Sequence, residues 1–219
     1  MNQIQQMFAL QKELNDATNG EIWTEGATKE GRIISWHRCI YMEAAEAIDS
    51  FNWKHWKNIE AEHDWDNARV ELVDIWHFIM SEGIHIGDTR YAEAFLEIEP
   101  DRSPDGEKLV EIFEKMIAAS AQSCIDHTEN KYHQVVNLFF EALKTIGMDV
   151  GELYKRYVVK NQLNQFRQDH GYKDGTYIKM WDAVEDNVIA FNLMEEHPEL
   201  TPDELYQRLE QEYERLTSE

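Results

Sequence analysis

Two short acidic motifs have the residue types and spacing for hard-metal chemistry: Glu43 with Glu46 in MEAAEAIDSF, and Glu71 with Asp74 in VELVDIWHFIM. On a helix, a spacing of three stacks each pair on one face. Two such helices side by side could surround one or two Mg²⁺ ions with four carboxylates. Chance supplies acidic pairs freely in a chain with 43 Asp and Glu among 219 residues, so spacing alone does not single these out. Their setting does. Ala44, Ala45, Ala47 and Ile48 surround the first pair, and Val70, Leu72, Val73, Ile75 and Trp76 the second. A carboxylate half-buried among apolar side chains is costly unless a cation or a donor neutralises it. The competing reading is two ordinary amphipathic helices. Oxygen ligands favour Mg²⁺ over zinc or iron. Asp74 and His77 match the carboxylate-x-x-His step of di-iron bundles, but Glu60 with His63 and Glu82 with His85 fall at expected helix ends, which leaves that reading behind.

A second cluster is cationic. In KNQLNQFRQDHGYKDGTYIK, residues 160 to 179, Lys160, Asn164 and Arg167 lie at i, i+4 and i+7, a polar stripe, while Leu163 and Phe166 point to the core. Gly171 ends that helix and Asp174-Gly175 makes a turn that carries Lys173 towards Lys179. Such a stripe followed by a basic loop suits a polyphosphate, with Arg as a bidentate donor and Lys as point charge. The bland alternative is a surface helix whose cations pair with nearby acids. Aromatic residues beside the carboxylates, Trp53 and Trp56 after the first pair and His77-Phe78 after the second, could wall in a base or simply pack.

The elements that must position these groups are helical. Apolar residues recur at three and four throughout, so the fold class is all-α. Helices are expected at about 2 to 17, 29 to 51, 64 to 86, 106 to 126, 130 to 146, 149 to 169, 184 to 196 and 202 to 216. The first stops at Asn19-Gly20, and the last starts at Thr201-Pro202. Residues 87 to 106 hold two prolines and two glycines and read as a variable connection. We read the chain as one domain, 1 to 219, with a variable insertion near 87 to 130.

Bulk composition excludes several classes. A net charge of −22 opposes binding to nucleic acid, which needs clustered cations. No apolar run approaches the roughly 20 residues that span a bilayer, and the amino terminus lacks a signal-peptide pattern. Cys39 and Cys124 show no metal or disulfide spacing and read as reduced core thiols. A cytoplasmic protein is expected.

Taken together and in order, the blocks LQKELND (10 to 16), SWHRCIYMEAAEAIDSFNWKHWK (35 to 57), ELVDIWHFIMS (71 to 81) and KNQLNQFRQDHGYKDGTY (160 to 177) resemble the dimeric dUTPases. These form an all-α family related to the MazG-type nucleotide pyrophosphohydrolases. The resemblance implies that Glu43, Glu46, Glu71 and Asp74 hold Mg²⁺. It also implies that Gln11 and Asn15 read the uracil edge, with Trp56, His77 and Phe78 near base and sugar. Lys160, Asn164, Arg167, Tyr172 and Lys179 then meet the phosphates and sugar, with Asn161 as a further candidate; Lys173 is a candidate from the basic cluster alone. The implied reaction is hydrolysis of dUTP, and also of dUDP, to dUMP by a homodimer, with a carboxylate such as Glu46 taking the proton of the attacking water. A related pyrophosphohydrolase for another nucleotide and a non-enzymatic helical metal-binding protein are the alternatives.

Overall fold

The first helix, α1 (Gln3–Asn19), shows how local chemistry sets the architecture. Asn2 caps it by accepting a hydrogen bond from the Gln5 amide at 2.9 Å, and Gly20 ends it at φ 82°. Its buried stripe reads Ile4, Met7, Phe8, Gln11, Leu14 and Asn15, so two amides lie among the apolar residues. The computed structural model describes residues 1–58, 60–126 and 130–217. Residues 127–129, inside the insertion expected near 87 to 130, lie outside the described residues.

The remaining helices are α2 (Trp36–Asp49), α3 (Trp65–His85), α4 (Gly106–Ile125), α5 (Tyr132–Thr145), α6 (Val150–Asp169), α7 (Asp186–Glu196) and α8 (Pro202–Thr217). Among the described residues the only strands form a hairpin, β1 (Met180–Trp181) and β2 (Val184–Glu185), with Met180 opposite Glu185. The all-α expectation holds. No helix among the described residues is long and apolar enough to cross a membrane. One helix starts later than its periodicity suggests: α2 begins at Trp36 rather than near 29. Gly26 and Gly31 take left-handed φ values of 88° and 79°, and Ala27 pairs with Ile33 across the turn between them, which no helix can accommodate.

Two compact units divide the chain, Met1–Tyr154 and Lys155–Glu219. In the first, α2 packs on α3 and α4, α4 on α5, and α1 on α3. Trp76 of α3 sits at the centre, stacked on Phe139 at 4.8 Å and edge-on to Phe8 and Phe140. Residues 87 to 106 carry a short 3-10 turn, Tyr91–Phe95, which packs against α1, where Gln5 donates to Glu93, and against α5 through a stacked Phe95 and Phe140. In the second unit Phe166 is fully buried among Tyr177, Trp181, Tyr206 and Tyr213, over Leu163, Leu205 and Leu209.

Candidate active site

α2 and α3 present the acidic group. The two helices pack on each other, and Ala44 and Ala47 of α2 are fully buried. Glu43 and Glu46 each stand one residue before these alanines on the helix. Ala45, expected to be apolar lining, is exposed. Oxygens of Glu43, Glu46 and Glu71 all lie within 4.8 Å of one another, and Glu43 and Glu71 are half-buried while Glu46 is exposed. Asp74, half-buried one turn after Glu71, lies outside that trio. The donor set fits a hard divalent cation: it is all carboxylate, and Mg²⁺ characteristically takes a few carboxylates and fills its remaining positions with water and phosphate oxygens.

Further along α3, a buried polar cluster ties α3 to α1. Gln11, Asn15 and His77 are each at most 5% exposed. His77 Nδ1 lies 2.6 Å from Gln11 Oε1, and Gln11 Nε2 donates to Asn15 Oδ1 at 3.1 Å. Ser81 joins both amides, accepting from Asn15 Nδ2 at 2.9 Å and from Gln11 Nε2 at 3.3 Å. A glutamine and an asparagine inside an apolar stripe are costly unless paired, and here each is paired. Phe78 stacks on Trp36 at 6.2 Å, and Trp36 meets Trp23 edge-on. Trp56 is 62% exposed, and its ring neighbours are Trp53 and His55.

The cationic stripe belongs to the second unit, on α6. Lys160, Asn161 and Arg167 are buried, and Asn164 is half-buried. Arg167 makes a two-point ion pair with the fully buried Asp186, Nε to Oδ2 and Nη2 to Oδ1, both at 2.8 Å. Its Nη1 donates to Asn164 Oδ1 at 3.2 Å. Asn187 Oδ1 accepts from Lys160 Nζ at 3.1 Å and from Arg167 Nη2 at 3.3 Å. Burial alone opposes the Arg167 charge, but hydrogen bonding and charge from Asp186 outweigh it and raise the guanidinium pKa. Tyr177 donates to Asp186 Oδ2 at 2.8 Å; burial first, and then the Asp186 charge, push its pKa up, so it remains a neutral donor. Asn161 donates to Tyr157 Oη at 3.2 Å. Tyr172, Lys173 and Lys179 are exposed. Tyr172 lies under the Arg167 guanidinium at 5.7 Å, and Lys179 pairs with Glu185 at 3.3 Å.

Sequence reasoning missed Ser81, Asp186 and Asn187. A serine one turn after His77 on the α1 side of α3 was the available signal for the first. Asp186 and Asn187 open α7 and carry the ordinary composition of a helix start.

No curated protein matches the chain at a significant level. The chain does match the family described as dUTPase, over residues 3–172. That span takes in α1, the α2 and α3 carboxylates, the Gln11, Asn15, His77 and Ser81 cluster, and the α6 stripe through Tyr172. With more than three-quarters of its residues inside that match, the chain belongs to the dUTPase family and is a dUTP-hydrolysing enzyme.

Proposed function

We propose that the chain converts dUTP to dUMP and pyrophosphate, and dUDP to dUMP and phosphate, with Mg²⁺ held by Glu43, Glu46 and Glu71 and with Asp74 completing the acidic face. The convergence of three carboxylate oxygens within 4.8 Å on α2 and α3 carries this reading. When bound, Mg²⁺ polarises phosphate oxygens and makes a coordinated water more acidic. Glu46, the exposed member of the trio, accepts the proton of the attacking water, which a general base must hold within hydrogen-bond reach. Gln11 and Asn15 read the uracil edge beside His77, while Trp56 and Phe78 contact base and sugar. Lys160, Asn164, Arg167, Tyr172, Lys173 and Lys179 meet phosphates and sugar, with Asn161 supporting the stripe.

The enzyme acts as a homodimer in the cytoplasm and binds no nucleic acid. The family resemblance supports the dimer, and the net charge of −22 disfavours a polyanionic partner. Turnover of a panel of dUTP, dUDP, dCTP, dTTP and dATP, with Mg²⁺ and after its removal by chelator, tests the reaction. Comparable rates on dCTP and dUTP, or full activity without metal, would overturn it. Light scattering on the eluting peak tests the dimer.

A further inference from the structure

Ser81 is wholly buried on α3 and has one hydroxyl proton, which it donates to the carbonyl oxygen of His77 at 2.8 Å. Its oxygen can then only accept. Two carboxamides converge on it, Asn15 at 2.9 Å and Gln11 at 3.3 Å. A carboxamide turned over would set its oxygen lone pairs against those of Ser81, so both must offer their NH₂ ends. Gln11 Nε2 then bonds Asn15 Oδ1 at 3.1 Å, and Gln11 Oε1 faces His77 Nδ1 at 2.6 Å, which must carry the ring proton. One hydroxyl therefore sets the donor and acceptor polarity of Gln11, Asn15 and His77. Beyond these bonds Asn15 keeps a second amide hydrogen and a second oxygen lone pair for a ligand.

We infer that Ser81 is a positioning residue that makes the pocket read uracil rather than cytosine by preventing the carboxamides from turning over. The inference rests on the uracil-reading role proposed for Gln11 and Asn15 and deepens it. Uracil presents the N3 hydrogen, a donor, beside the O4 acceptor. Cytosine presents the N3 acceptor beside the 4-amino donor, the reverse order. A carboxamide free to turn over satisfies either base, since its oxygen and nitrogen are nearly equal in size. A locked one satisfies a single order and leaves buried polar groups unpaired against the other, a penalty that discriminates far better than shape alone. Because the enzyme hydrolyses dUTP, the locked order is the one that fits uracil.

The test is the ratio of kcat/KM for dUTP to that for dCTP, measured at saturating Mg²⁺ in the full chain, with circular dichroism as the control for folding. Ser81→Ala removes the lock, and the ratio falls by about tenfold or more, partly through a rise in dCTP turnover. Ser81→Cys, nearly isosteric but a poor acceptor, moves the ratio the same way and carries the test if the alanine variant does not fold. Ser81→Thr keeps the hydroxyl and restores the preference. A merely structural role would lower both substrates equally, so an unchanged ratio in a folded alanine or cysteine variant overturns the inference. Wild-type protein that turns over dCTP as fast as dUTP would instead overturn the uracil reading beneath it.

Discussion

Arg167 spends its Nε and Nη2 edge on Asp186, in a buried two-point ion pair 2.8 Å long on each side. The edge best shaped for a bidentate phosphate contact is therefore occupied, and Nη1, shared with Asn164, is the part of the guanidinium left to meet a ligand. Asp186 thereby holds the α6 stripe to the start of α7. Removing one partner of such a pair strands the other charge, at a cost of about 3–5 kcal/mol. Asp186→Ala should lower the stability measured by urea unfolding by that amount. Arg167→Lys should also destabilise, because an ammonium cannot make the planar two-point contact. Unfolding midpoints unchanged in both variants would mean that the pair contributes nothing to the second unit.

The helices that carry the acidic motifs were legible in the sequence, and the Arg167–Asp186 pair was not. The periods of Leu72, Val73, Ile75, Trp76 and Ile79 mark α3, and Asp64 caps it by accepting from the Asn67 amide. The two acidic motifs were legible as partners only on the condition that α2 and α3 pack side by side, and in the structure they do. Gln11 and Asn15 could not be placed from sequence, because their burial depends on His77 and Ser81, more than 60 residues away. Asp74 shows what spacing leaves open: i,i+3 gives a shared face, while the oxygens that lie within 4.8 Å of one another are those of Glu43, Glu46 and Glu71. The β1–β2 hairpin was invisible because its turn residues, Asp182 and Ala183, take φ values of 49° and 67° without glycine or asparagine to announce it.

Glu46 offers the sharpest test of the proposed chemistry. Glu46→Gln keeps the size and one acceptor oxygen but cannot accept a proton. Loss of a general base typically costs about 10²- to 10⁴-fold, so kcat for dUTP should fall by that factor while the helical circular dichroism is preserved. An active Glu46→Gln enzyme would move the base elsewhere on the acidic face.

Metal removal should separate folding from activity. Three carboxylates within 4.8 Å repel one another, so a cation bound only by the folded state relieves that repulsion and stabilises the fold. At a hundredfold excess over its dissociation constant the linkage is about 2.7 kcal/mol. Chelated protein should remain helical, lose dUTP turnover, and regain a higher melting temperature on addition of Mg²⁺. In a Glu43→Gln, Glu71→Gln double variant that increment should largely vanish. An equal Mg²⁺ shift in the double variant would place the cation outside this group.

Gly83 tests the fit of α3 against its own exit. Asp88 returns its amide to the Gly83 carbonyl at 2.8 Å, and Gly87, at φ 76°, closes the same turn on Ile84, a Schellman ending. The turn brings the Asp88 carbonyl oxygen to 2.8 Å from where a Gly83 Cβ would stand, and the Tyr132 hydroxyl is closer still. Alanine inside a helix gains about 1 kcal/mol over glycine, but overpacking a closed site costs about 1–3 kcal/mol, so Gly83→Ala should be destabilising on balance. The Tyr132 hydroxyl is buried without a hydrogen-bond partner among the described residues, and Tyr132→Phe removes an uncompensated polar group. That change should leave stability unchanged or raise it, and in combination it should recover part of the Gly83→Ala loss. Only part is recoverable, because the Asp88 backbone contact remains. A double-mutant cycle of melting curves measures the coupling, and strictly additive effects would show that Tyr132 is not what excludes a side chain at position 83.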